Sequence, residues 1–138
     1  MFLLDTDILI YALNGEPIVI ENIRQHAAAP KAVSVITYGE LIFGAQRSAR
    51  ITENLAKVHR IKEIFPLIEI TPSIMETFGA MKADLQKNGT PVDDFDLLIG
   101  ATAITMGYGV VTNNEKHFKK IPGLAVANWA KTSRKTVE

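Results

Sequence analysis

Residues 1–13 read MFLLDTDILIYAL, and the fold turns on how they divide. Phe2–Leu4 is an unbroken apolar run, the pattern of a strand buried on both faces. It stops at Asp5, and Ile8–Leu13 then reads as helix up to Asn14-Gly15, a stop signal. A buried strand feeding a helix opens a β-α unit, and the rest of the chain continues the alternation. Pro17 suits the first turn of a second helix reaching about Ala29, which Pro30 ends. Ala32–Val35 is a second short strand. Thr37 is placed to cap a helix from Tyr38 to about Ala49, with Glu40 three residues after the cap.

Farther along, Ile51, Leu55, Val58, Ile61 and Phe65 keep helical spacing until Pro66, and Leu67–Ile70 is a third strand. Ile74, Phe78, Met81 and Leu85 predict a helix that ends near Asn88-Gly89. Leu97–Met106 is apolar on nearly every face, as a helix packed between other elements would be, and Gly109–Thr112 and Leu124–Ala127 supply strands four and five. Strands separated by helices predict a parallel sheet covered on both faces, an α/β three-layer domain.

A chain of 138 residues, 47% hydrophobic and 22% charged, is long and apolar enough for one domain with a real core. That domain is expected over residues 1–130, followed by a polar, basic tail at 131–138. The absence of cysteine excludes disulfides, thiolate zinc sites and a cysteine nucleophile. Charge balances at 15 basic against 15 acidic residues, so bulk charge does not point to a polyanion. No apolar run reaches the roughly 20 residues of a membrane span, and the N-terminus lacks the basic start of a signal peptide. The expected compartment is the cytoplasm, with no membrane partner.

In parallel sheets, ligands sit beyond the carboxyl ends of the strands, where strand order reverses. Asp5 ends strand one and Asp7 follows it; Asn113, Asn114 and Glu115 follow strand four; Asp96 heads the buried helix, and Glu40 lies early in another. Each has an ordinary structural explanation. Asp5 and Asp7 suit a helix start, Glu40 suits a capping box, Asp93, Asp94 and Asp96 favour a helix N-terminus, and Glu115 suits solvent. Gathered on one edge, however, carboxylates repel and desolvate one another unless a cation neutralises them. A ligand set of oxygens suits Mg²⁺ or Mn²⁺, and such a site serves phosphoryl chemistry. Arg47, Arg50, Lys57 and Arg60 are placed to flank that edge, and Lys116, Lys119 and Lys120 follow the strand-four polar residues, as contacts to a nucleic-acid backbone require. The same cations also suit the solvated faces of helices. His26, His59 and His117 are widely spaced and suggest no catalytic triad, and no glycine-rich phosphate loop is present.

Four stretches together resemble the VapC-type toxins of the PIN-domain ribonuclease family: LLDTDILIYAL at 3–13, SVITYGELIFGA at 34–45, FDLLIGATA at 95–103 and VVTNNEKHFKKIPGLAVANW at 110–129. The resemblance covers nearly the whole chain. It implies a three-layer α/β/α PIN-like domain with a central five-stranded parallel sheet. It also implies a Mg²⁺- or Mn²⁺-dependent endoribonuclease that hydrolyses RNA phosphodiester bonds with a metal-activated water. Such a protein is the toxin of a type II toxin-antitoxin system, forms a homodimer and is inhibited by a VapB-type antitoxin. Carried over by position, the family acids fall on Asp5, Glu40 and Asp96, as catalytic and metal-binding residues, with Thr6 and Thr112 at hydroxyl positions beside them. Two positions depart from the pattern. Asp7 stands where the family often has asparagine, and Asn114 stands where many members carry a fourth acid, with Glu115 next to it. Asp7 or Glu115 would restore the missing charge. Arg47, Arg50, Lys116 and Lys119 are the expected RNA contacts.

Two other readings use the same residues. LLDTDIL also looks like the strand-then-acid-pair opening of haloacid-dehalogenase-like phosphatases, with Asp5 as nucleophile and Asp7 as general acid. The uncharged Asn114 would suit a catalytically inactive PIN-like module that only binds RNA or protein.

Overall fold

The computed structural model describes residues 1–131. In chain order the elements are β1 (Phe2–Leu4), α1 (Thr6–Leu13), α2 (Pro17–Gln25), β2 (Lys31–Ser34), α3 (Val35–Gln46) and α4 (Ile51–Ile64). They continue with β3 (Leu67–Ile68), α5 (Pro72–Lys87), α6 (Asp94–Met106), β4 (Gly109–Val111), α7 (Glu115–Phe118) and β5 (Val126–Ala127). The strands form one five-stranded sheet in the order β3-β2-β1-β4-β5, and every pairing is parallel. The expected α/β three-layer architecture is therefore present, and its center is the strand the sequence begins with.

Alternation along the central strands distributes their side chains between two cores. Leu4, Val33 and Val111 pack with Ile8, Leu9, Leu41, Val58 and Trp129 on one face. Leu3, Ala32 and Val110 pack with Leu97, Ile99, Phe118 and Ile121 on the other. Both faces are buried, which is why these strands lack polar alternation. Gly100 of α6 is a matter of space: a Cβ there would lie 2.6 Å from Ile121 Cδ1. Gly107 ends α6 in the left-handed conformation at φ 72°, where a side chain would be strained.

Several boundaries differ from expectation, for local reasons. Strand β2 ends at Ser34, which pairs with Ile68, and Val35 already belongs to α3. Ser34 rather than Thr37 caps that helix, its side chain accepting from the Ile36 amide at 3.0 Å. Thr37 is buried inside α3, and its Oγ1 finds no hydrogen-bond partner among the described residues. The capping-box explanation of Glu40 therefore fails, and its carboxylate is available for another purpose. Helix α2 stops at Gln25 and α3 at Gln46, short of Ala29 and Ala49. The edge strands β3 and β5 keep only two paired residues each, and α6 begins at Asp94 because the Asp93 side chain caps it through the Phe95 amide.

The C-terminal end of the described chain is tied down. Buried Asn22 donates to the Trp129 and Lys131 carbonyls at 2.9 and 3.2 Å. Trp129 stacks on His26 with ring centroids 4.4 Å apart. Apart from Lys131, the residues of the expected tail lie outside the described ones.

Candidate active site

The order β3-β2-β1 runs one way from the middle of the sheet and β4-β5 the other, so the reversal falls between β1 and β4. Asp5 leaves β1 there and Thr112 leaves β4. Asp5 occupies the N-cap position of α1, yet its side chain makes no capping bond. Instead it accepts from the Thr112 hydroxyl at 2.8 Å. Only 5% of Asp5 is exposed, so its carboxylate serves this edge of the sheet and not solvent.

Other acids arrive from separate elements. Asp7, in the first turn of α1, accepts from the Asn113 amide with both oxygens, at 3.3 and 3.2 Å. Glu40 comes from the second turn of α3 and accepts from the Thr6 hydroxyl at 2.6 Å. Asp96 comes from the first turn of α6 and lies 3.1 Å from His117 Nδ1. None of the ion pairs among the described residues engages Asp5, Asp7 or Glu40.

The cost of this gathering appears in their protonation. Burial, then the charge of Asp7, pushes the Asp5 carboxyl up to about 7, against relief from the Thr112 bond. Burial likewise raises Asp7 above the ordinary carboxylate range, with Asp96 adding to it. Glu40 is raised first by burial and then by Asp96, Asp93 and Asp7. These acids sense one another across the groove, although among the described residues no group of three His, Asp or Glu is drawn together closely enough to hold a metal ion in this geometry.

Elsewhere the fit is different. The Glu115 carboxylate is engaged by Lys131 at 2.6 Å, Asn128 at 2.8 Å and Lys119 at 3.2 Å. Those contacts hold it down at about 2. Glu115 and Lys119 thus satisfy each other on the rim. Asn114 faces His117, its Nδ2 2.8 Å from the ring Nδ1, and its amide donates to the Thr112 hydroxyl. Arg47 lies over the ring of Phe43 at 5.5 Å, Arg50 pairs with Glu53, and Lys116 is exposed.

The sequence reading passed over His117, as well as Tyr11 and Asn128, which join the rim through Asn113. The available signal for His117 was its place three residues after Asn114, one helical turn on, which brings both to the same side of α7.

This architecture and acid set place the chain in the PIN domain family, whose model matches residues 2–124. The chain is 33% identical over 131 residues to the tRNA(fMet)-specific endonuclease VapC of Salmonella typhimurium, covering 93% of this chain and 97% of that protein. It is 32% identical over 133 residues to ribonuclease VapC2 of Rickettsia felis, covering 95% of this chain and 99% of that one. Among solved structures, VapBC2 of Rickettsia felis bound to a DNA fragment from its promoter superposes with a TM-score of 0.86 at 31% identity, over 93% of this chain and 98% of that chain. DNA-bound VapBC of Salmonella typhimurium matches with a TM-score of 0.86 at 32% identity, over 93% and 97%. Against these likenesses the phosphatase reading of Asp5 and Asp7 is not favoured, nor is that of an inactive module.

Proposed function

We propose that this protein is an endoribonuclease that cleaves RNA phosphodiester bonds at the β1–β4 edge, and that it is the toxin of a toxin-antitoxin pair. The observation that carries the reading is the set of acids delivered by β1, α1, α3 and α6 to one edge, with no lysine or arginine among the described residues paired to Asp5, Asp7 or Glu40. Stability gains nothing from desolvating these carboxylates. Their oxygen chemistry suits a hard divalent cation, Mg²⁺ or Mn²⁺, held by Asp5 and Asp96 with Glu40. When bound, that ion supplies neutralising charge for the phosphate and acidifies water.

The protein's own groups have definable tasks. Thr112 fixes one oxygen of Asp5 and Thr6 fixes Oε1 of Glu40, so neither carboxylate is free to rotate. Glu40 is suited to hold or orient the attacking water through its second oxygen. Asp7 adds the negative charge that Asn114 lacks. Glu115, held by Lys119 and Lys131, shapes the rim and leaves the fourth-acid role to Asp7. Arg47, Arg50 and Lys116 would meet the RNA backbone.

The relatives' names, ribonuclease and tRNA(fMet)-specific endonuclease, support the substrate class. The VapBC complexes among the solved structures support a VapB-type antitoxin as partner. The working state is a homodimer in the cytoplasm, each copy built on one PIN domain over residues 1–130.

The test is incubation of total cellular RNA with the purified chain and Mg²⁺ or Mn²⁺, beside an EDTA blank and Asp5→Ala. Discrete fragments absent from both controls are expected. Intact RNA with every cation, from well-folded protein, would leave the inactive binding module as the reading.

A further inference from the structure

A small cavity of about 140 Å³ opens where α1, the start of α2 and the chain beyond β4 and β5 meet, lined by Tyr11, Glu16, Ile18, Val19, Asn113 and Ala130. It adjoins the acids. The Asn113 amide donates to the Asp7 carboxylate, and Tyr11 follows Asp7 by one turn of α1. Pockets for whole small molecules begin at roughly 300 Å³, so this one suits the edge of a single ring.

What the cavity offers is set by a run of hydrogen bonds with one direction. The Ala130 amide donates to Asn128 Oδ1 at 2.8 Å, which leaves the Asn128 nitrogen to meet Glu115 and Asn113. That nitrogen donates to Asn113 Oδ1 at 3.1 Å, so Asn113 turns its own nitrogen to the Tyr11 oxygen at 3.2 Å. The Tyr11 hydroxyl therefore accepts from Asn113, and its proton is left to donate elsewhere.

Glu16 supplies the opposite character. Gly15 turns the chain at φ 74°, and the Glu16 amide returns to the Tyr11 carbonyl at 3.0 Å, which seats the two residues together. Glu16 holds the N-cap position of α2, yet its side chain makes no capping bond. It joins none of the ion pairs among the described residues. Its carboxylate is an acceptor with two uncommitted oxygens.

We propose that this cavity reads one unpaired guanine of the RNA, with Tyr11 donating to O6 and Glu16 accepting from the N1 and N2 hydrogens. The inference rests on the endoribonuclease reading and extends it to a base preference beside the cut. A carboxylate repels phosphate, so the cavity takes the neutral edge of a base and not the backbone. Among the four bases, guanine alone places two adjacent N–H donors beside a carbonyl oxygen on its Watson–Crick edge, matching a two-oxygen acceptor next to one donor. That edge is free only in a loop or a single strand. A lysine or arginine of a protein partner would satisfy Glu16 but offers no acceptor for the Tyr11 proton.

The experiment measures binding of a fluorescently labelled single-stranded RNA containing one guanine to the full chain carrying Asp96→Asn. The same strand is presented with inosine at that place, which lacks only the N2 amino group. Inosine should bind roughly tenfold more weakly, the worth of a hydrogen bond to a charged acceptor. Adding Glu16→Gln should bring the two strands nearly level. Adding Tyr11→Phe, which removes one oxygen, should weaken the guanine strand roughly 3- to 10-fold and keep its advantage over inosine. Glu16 is exposed, so loss of discrimination in its variant cannot be loss of folding. Equal affinity of the Asp96→Asn chain for guanine and inosine overturns the proposal, as does discrimination that survives Glu16→Gln. A chain with Asp96 intact that cuts RNA without guanine at a fixed place beside the cut brings down the cavity's role alone. One that neither binds nor cuts RNA with Mg²⁺ or Mn²⁺ brings down the endoribonuclease reading as well.

Discussion

Replacing Asp5 with asparagine should make the metal-free protein more stable, and the gain should depend on pH. Asp5 titrates near 3.8 in an unfolded chain and is pushed up to about 7 in the fold. Below its unfolded value both states hold the proton and nothing is lost. As pH rises from there toward 7, the unfolded chain releases the proton and the folded chain keeps it, so stability falls by about 1.4 kcal/mol per pH unit. Above 7 the folded chain carries the buried charge, and the accumulated cost levels off at up to about 4 kcal/mol. Asparagine has nearly the same shape, still accepts the Thr112 hydroxyl through its oxygen, and cannot ionise. Urea denaturation in EDTA, at steps from pH 4 to 8, measures the difference directly. The two proteins should be nearly equal at pH 4, and the variant should gain steadily until about pH 7. Mn²⁺ should then raise the stability of the parent at pH 8 and leave Asp5→Asn almost unmoved. A gain that is absent, or constant across pH, would refute the idea that buried charge at this position burdens the fold.

Other outcomes follow from the same geometry. Asp96→Asn preserves shape and should lower RNA cleavage by roughly two to three orders of magnitude; fragment yields measured against time would show it, and retained cleavage would remove Asp96 from the site. Gly100→Ala should cost about 1–3 kcal/mol through the overlap with Ile121 Cδ1, and Gly100→Ala with Ile121→Val should recover most of that loss in urea denaturation. Thr37→Val should gain about 1 kcal/mol, because the buried hydroxyl it removes has no partner among the described residues; a loss on thermal melting would mean that the hydroxyl is hydrogen-bonded in solution.

The layered fold was legible because its determinants are local. Apolar runs such as Phe2–Leu4 and the helical spacing of Ile74, Phe78, Met81 and Leu85 need no knowledge of distant contacts. The helix start near Thr37 was misread because two hydroxyl residues compete for it. The choice is made by a pairing across the sheet, Ser34 with Ile68, that residues 34–37 do not contain. Asp5 and Asp96 stand out because they sit at or beside element boundaries where apolar patterns break off, whereas Glu40, in the second turn of α3, has no such break to mark it. Their mutual approach is another matter, since it depends on the reversal of strand order between β1 and β4. His117 illustrates the limit well. Helix α7 has four residues, so the spacing that sets His117 beside Asn114 carries no hint of its approach to Asp96, which becomes visible only in three dimensions.

The place of β1 in the middle of the sheet has a consequence for the order in which the protein is made. Phe2–Leu4 leaves the ribosome long before one of its two flanking partners, Gly109–Val111. The bond from Thr112 to Asp5 spans 107 positions, as does that from Asn22 to Trp129. A nascent chain that has reached α6 therefore has Asp5 on an unpaired edge, with neither the hydroxyl that holds it nor the far wall of the groove. The edge that carries Asp5 therefore cannot be assembled piecemeal during translation; it closes only after β4 emerges.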